Sequence, residues 1–192
     1  DAAAIKIHFI SGSREYKSKE SLRKFIPWLE MYYDVKCSVS WGHDGIKELP
    51  SLDELKEADL LFVFARRMKL VESQMKTIRM HWEKGKPVVG VRTASHAFQK
   101  ADNEVFDRQV MGGNYQGHFG DSPVKVVNFC KHPILEGVGE ITSDKLYKAG
   151  PLAKSATVLQ QGDIGTDKHA VSWIKNWRGV RTFYTSLGVP KD

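Results

Sequence analysis

His96 and His118 are the side chains of this 192-residue chain best suited to proton transfer. Imidazole changes charge near neutral pH and also ligates metals. His96 follows the apolar run at residues 87–91, and His118 closes a glycine-rich stretch at 112–118. Arg92 lies between that run and His96, and its guanidinium suits negative charge developing on a hydroxylated substrate. Arg92, His96 and His118 therefore form the expected catalytic group, working by acid/base chemistry. A humbler role fits both histidines equally well, with each imidazole bonding backbone to close a loop.

The elements around them set the geometry. Alternating apolar residues at 4–10 predict a first strand, ending in Ser11-Gly12-Ser13. Helical spacing of Leu22, Phe25, Ile26, Leu29 and Tyr32 predicts a helix over 18–33, with Ser18 as its cap and Pro27 as a kink or break. A second strand is expected at 34–41, a helical turn at 51–56 and a buried parallel strand at 60–65. A helix over 71–84 stops at Gly85-Lys86-Pro87, and a fourth strand follows at 87–91. This alternation predicts a parallel sheet with right-handed crossovers. Beyond a small helix at 104–111, strands at 124–129, 157–160, 169–175 and 180–185 follow with short connections, which predicts an antiparallel extension.

Ligands of open parallel sheets bind beyond the carboxyl ends of the strands. The residues there include Arg14 and Tyr16 after the first strand, Trp41, His43 and Asp44 after the second, Arg66 and Arg67 after the third, and Arg92, Thr93, Ser95 and His96 after the fourth. Arginine forks onto carboxylates and hydroxyls, and Tyr16 or Trp41 could stack on the apolar face of a sugar. Asn114 and Tyr115 are placed to join them if the glycines at 112, 113 and 117 bring the backbone close to a ligand; a tight turn alone also explains those glycines. His8 and His169 are expected to be packed in strands, His81 to be on a helix surface, and His132 to be structural.

Charged residues make up 27% and hydrophobic residues 41%, a globular balance for one domain spanning 1–192. The net charge of +6 is spread along the chain without a dense basic tract, so nucleic acid is not the expected partner. The longest apolar runs are far shorter than the roughly 20 residues a membrane helix needs, so no membrane partner is expected either. Cys37 and Cys130 have neither disulfide-framework nor zinc spacing. The start at Asp1 fits removal of a leader or tag, and a soluble protein of the cytoplasm or one exported is expected. No G-x-G-x-x-G or G-x-x-x-x-G-K-[ST] occurs, which argues against a nicotinamide dehydrogenase or a kinase.

The segment 85–96, G-K-P-V-V-G-V-R-T-A-S-H, resembles the nucleophile elbow of class I glutamine amidotransferases. Arg92 holds the cysteine position and Ala94 that of the second glycine. A guanidinium is no nucleophile, so glutaminase chemistry is not expected. More specifically, the chain resembles the ThuA-like (trehalose utilisation) family. Gly112–His118 resembles its G-G-x-Y-x-G-H segment, 132–138 its H-P-I-x-x-G stretch, Leu146-Tyr147 its E-L-Y element, and 179–188 its closing strand and S-L-G-H. Two positions depart: Lys145 stands where an acid is usual, and Val189 where a histidine is usual.

That resemblance implies a flavodoxin-like, class I glutamine amidotransferase-like three-layer α/β sandwich, mainly parallel with an antiparallel extension. It implies a bacterial protein of sugar catabolism and a small carbohydrate ligand, trehalose or a keto-sugar derivative, with Tyr147 and Arg14 helping to bind it. A hydrolase, lyase or isomerase is one reading; a non-catalytic carbohydrate-binding or interaction domain is the other, and the departures at 145 and 189 favour it. No cofactor is expected. A divalent metal held by His96, His118 and an acid such as Glu104 or Asp107 stays open, as does a homo-oligomer.

Overall fold

Residues 3–188 are described by the structure, a computed structural model. Its strands are β1 (Ile5–Gly12), β2 (Val35–Trp41), β3 (Leu60–Ala65), β4 (Val88–Val91), β5 (Pro123–Asn128), β6 (Thr142–Asp144), β7 (Ala156–Asp163), β8 (Lys168–Trp177) and β9 (Val180–Thr185). They form one sheet in the order β2-β1-β3-β4-β9-β8-β7-β5-β6. The first five in that order are parallel neighbours, and from β9 through β8 and β7 to β5 and β6 every pairing is antiparallel. The protein is thus a mixed α/β structure built on a single large sheet.

Side chains alternate across a strand, so β1 and β3 feed two cores. On one face Ile10, Val63, Val88 and Tyr184 pack with Ile78 and Trp82 of α2 (Glu72–Glu83) and with Phe106 and Met111 of a π-helix (Glu104–Met111). The opposite face places Phe9 and Phe64 against Leu22, Ile26 and Leu29 of α1 (Ser18–Tyr32). The apolar stripe read from the sequence is the buried side of α2, whereas in α1 Leu22, Ile26 and Leu29 face the sheet and Phe25 and Tyr32 stay exposed.

Three expectations are corrected. α1 runs unbroken through Pro27, which lies on its exposed side, where water can replace the forfeited backbone bond. Ser18 does not cap α1; Lys17 holds that position in a left-handed conformation, and Ser18 Oγ instead accepts from the Ser13 N–H at 2.9 Å. His81 is buried, not on the surface, because the chain doubles back at Lys86-Pro87 and Pro87 O meets its Nε2 at 2.9 Å. The helix expected at 104–111 is present and coils as a π-helix, a form frequent at functional sites.

Candidate functional site

β4 ends and Arg92 follows with φ 50°, in the left-handed region. The Tyr184 hydroxyl donates to the Arg92 carbonyl at 2.6 Å and holds this sharp turn. The turn sends the arginine side chain sideways into the protein: Arg92 is only 2% exposed. Its guanidinium donates to Ser186 O and to Asp144 O, with the Asp144 carboxylate 3.4 Å away. Tyr16 covers one side and Tyr147 another, with the guanidinium carbon 4.5 and 4.8 Å from their ring centres. Both terminal nitrogens of the guanidinium are thus spent on the protein itself, while its Nε is buried without a hydrogen-bond partner.

Next along the same turn, His96 lies flat against Tyr115, the rings 4.3 Å apart and inclined by 16°. Its Nδ1 is 3.1 Å from Ser95 Oγ. Burial, reinforced by the neighbouring Arg66 and Arg67, pulls the His96 imidazole down to about 3. It is neutral throughout the physiological range. Tyr147 is 2% exposed and links the cluster, 5.0 Å from Tyr115, 6.0 Å from His96 and 6.4 Å from His118 between ring centres. Burial raises the Tyr147 and Tyr115 phenols, so both stay protonated.

The glycine-rich stretch is not a free loop. Asn114 N–H donates to Ala149 O, Gln116 N–H to Lys148 O and Phe119 N–H to Leu146 O, which zips it against 146–149. Gly112 sits at φ 80°, and a Cβ there would meet Lys175 Cδ at 2.5 Å. At Gly113 a Cβ would come within 2.5 Å of Asp107 Oδ1. Asp107, 4% exposed on the π-helix, accepts from the Tyr115 N–H at 2.9 Å and so fixes the ring that His96 stacks on. Burial pushes the Asp107 carboxyl up to about 6. Its Oδ1 has no hydrogen-bond partner.

A charged bridge borders the aromatic cluster. Arg66 binds Asp44 at 2.7 Å and Glu15 at 3.1 Å, joining the loops after β3, β2 and β1. Asp44 also accepts from the Arg14 N–H at 3.3 Å. Burial opposes the charge on Arg66, yet the two carboxylates outweigh it and raise its pKa.

The structure thus brings Arg92, His96, His118, Tyr16, Tyr115 and Tyr147 together, with Arg66 beside them. It differs from expectation in particulars. The Arg92 guanidinium is enclosed rather than presented to a cleft. His118 is exposed and bonds the Phe119 carbonyl through Nδ1 at 2.7 Å. Trp41 packs with the α1 cluster beneath Arg23 and not with the other rings. Arg14 is exposed. Asn114 has an Oδ1 that is buried without a partner, as do Ser13 Oγ and Thr93 Oγ1. Lys145 pairs with Asp121 at 2.8 Å, away from Arg92, whereas the neighbouring Asp144 supplies the carboxylate. Val189 lies outside the described residues. Among the described residues no group of three or more His, Cys, Asp or Glu could hold a metal ion. Glu104 is exposed and pairs with Arg108 at 3.1 Å.

Sequence reasoning missed Glu15 and Asp144 and considered Asp107 only as a possible metal-ligating acid, not as the buried acceptor of the Tyr115 N–H. The signal for Asp107 was its place six residues before Gly113, a glycine that leaves room for its carboxylate.

No protein of curated function matches the sequence. Among solved structures, the chain is similar to a ThuA-like protein from Bacteroides uniformis, with TM-score 0.73 and 13% identity over 100% of this chain and 85% of that one. A ThuA-like protein from Parabacteroides merdae gives TM-score 0.66 and 16% identity over 95% and 79%. A β-galactosidase from Bacillus circulans gives TM-score 0.62 and 11% identity over 97% of this chain and 29% of the enzyme. At these identities the likeness is one of fold. The ThuA family, described as trehalose utilisation, matches residues 6–192, and the chain belongs to that family.

Proposed function

We propose that this protein binds a small carbohydrate, trehalose or a keto-sugar derivative, at the carboxyl ends of β1, β3 and β4, and that it does so without chemistry of its own. The carrying observation is the neutral His96 imidazole stacked on Tyr115 beside the Arg66–Asp44–Glu15 bridge. Carboxylates and a guanidinium hydrogen-bond sugar hydroxyls, and aromatic rings supply apolar contact. The family's link to trehalose utilisation supports the ligand class.

Proton transfer is poorly served by the same geometry. An imidazole near 3 is too weak a base at neutral pH, the buried phenols hold their protons, and Arg92 is occupied by Ser186 and Asp144. The left-handed turn at Arg92 directly after β4 supports an amidotransferase-like, flavodoxin-like three-layer scaffold whose nucleophile position now holds the structure together.

Isothermal titration with trehalose, glycosides and 3-keto-glycosides tests this reading. Binding without turnover is expected, weakened about tenfold or more in Asp44→Ala, since a charge-assisted hydrogen bond contributes roughly 1.5–3 kcal/mol. Turnover that disappears in His96→Ala or His118→Ala would establish acid/base catalysis instead.

A further inference from the structure

The sheet face covered by α1 is only half roofed. Phe9, Phe62, Val89, Phe183, Ile174 and Thr157 are register partners across β1, β3, β4, β9, β8 and β7, so they stand in one row on one face. Over the first two lies α1, whose Phe25 ring is 6.4 Å from Phe9 and 6.1 Å from Phe62. Past Phe62 α1 no longer covers the row, and the short 3-10 helix Pro133–Leu135 contributes only a wall, through Ile134. Val89, Phe183 and Ile174 remain partly exposed, and with Ile134, which is 45% exposed, they line an open groove of about 640 Å³.

Of the strands under the groove, β4 and β9 pair in parallel, and parallel strands are ordinarily buried on both faces. The strands that floor this groove already have neighbours on both sides, so an occupant cannot join them as another strand. It must lie across their side chains, which is how a helix packs on a sheet. Electrostatics narrows the choice further. No Asp or Glu lines the groove, while Arg181, on the same face as Phe183 and exposed, stands at its edge near His132.

We propose that this groove docks an amphipathic helix of a partner polypeptide, with an apolar face against Val89, Phe183 and Ile174 and an acidic flank against Arg181. It lies on the face of the sheet rather than at the strand ends where Arg66 and His96 sit, so sugar binding does not depend on it. A second copy of this chain is the weaker candidate, since its net charge of +6 repels its own kind.

Fluorescence anisotropy with two labelled peptides tests the proposal. Both carry leucines at helical spacing; one has glutamates along the flank and the other lysines. The acidic peptide should bind and gain helicity by circular dichroism, and the basic one should bind about tenfold more weakly or not at all. Arg181→Glu, a surface change that leaves the core intact, should reverse that order; Ile174→Ser should weaken both. Absence of binding, equal affinity for the two peptides, or indifference to Arg181→Glu overturns the proposal. So does a dimer in light scattering that Arg181→Glu dissociates, because a second copy would then be the occupant.

Discussion

Asp107→Asn should make the protein more stable at alkaline pH while leaving it nearly unchanged in acid. The carboxyl is buried, and its pKa rises from 3.8 to about 6 on folding. A shift of that size, roughly two units, corresponds to about 3 kcal/mol. The folded state therefore binds more protons than the unfolded state between those values. Stability falls as pH rises through that window, and the whole cost persists above it. Asparagine is isosteric, still accepts from the Tyr115 N–H and never ionises, so it escapes the cost. Urea unfolding of both proteins from about pH 4 to about pH 8 gives the difference directly, and contributions from every other titrating group cancel in it. The difference should be near zero in acid and approach about 3 kcal/mol in favour of the variant at about pH 8. A flat difference, or a parent that gains on the variant as pH rises, would refute the assignment of a buried, weakly acidic Asp107.

Other consequences follow from the same contacts. Arg92→Ala strips Ser186 O and Asp144 of their donor and empties the space beneath Tyr16 and Tyr147, so chemical denaturation should show a loss of about 3–5 kcal/mol. Gly113→Ala pushes a methyl against Asp107 Oδ1, and scanning calorimetry should register roughly 1–3 kcal/mol of destabilisation as a lower Tm. His8, bonded to Ser38 and Ser40 Oγ, is pulled down to about 4 by burial and then by His81. Its contribution is full above the unfolded value of 6.5 and is lost as pH falls towards 4, so His8→Gln should flatten the acid limb of the stability curve.

The parts of the fold that the sequence revealed are those where one physical pattern acts alone. β3 and β9 lie where expected because an uninterrupted or alternating apolar run bounded by polar residues has one good solution. α1 and α2 were legible for the same reason, from apolar residues at helical spacing. β6 escaped because three residues, Thr-Ser-Asp, carry no pattern, and they pair only because β5 offers an edge. In the site, Arg92 and His96 were visible from their place after a buried strand. The direction of the guanidinium was not, since it depends on a left-handed backbone at one residue and on Ser186, ninety-four positions later in the chain. Asp107 was visible as a possible acid, but its burial against Tyr115 was not: a π-helix turns residues to faces that α-helical spacing does not assign.

The most direct measurement is a nitrogen NMR titration of the His96 imidazole, alone and with trehalose. The account predicts an imidazole that stays neutral down to about pH 4 and whose nitrogen shifts move when the sugar is added. A titration centred near 6.5, or nitrogen shifts indifferent to every sugar, would contradict it.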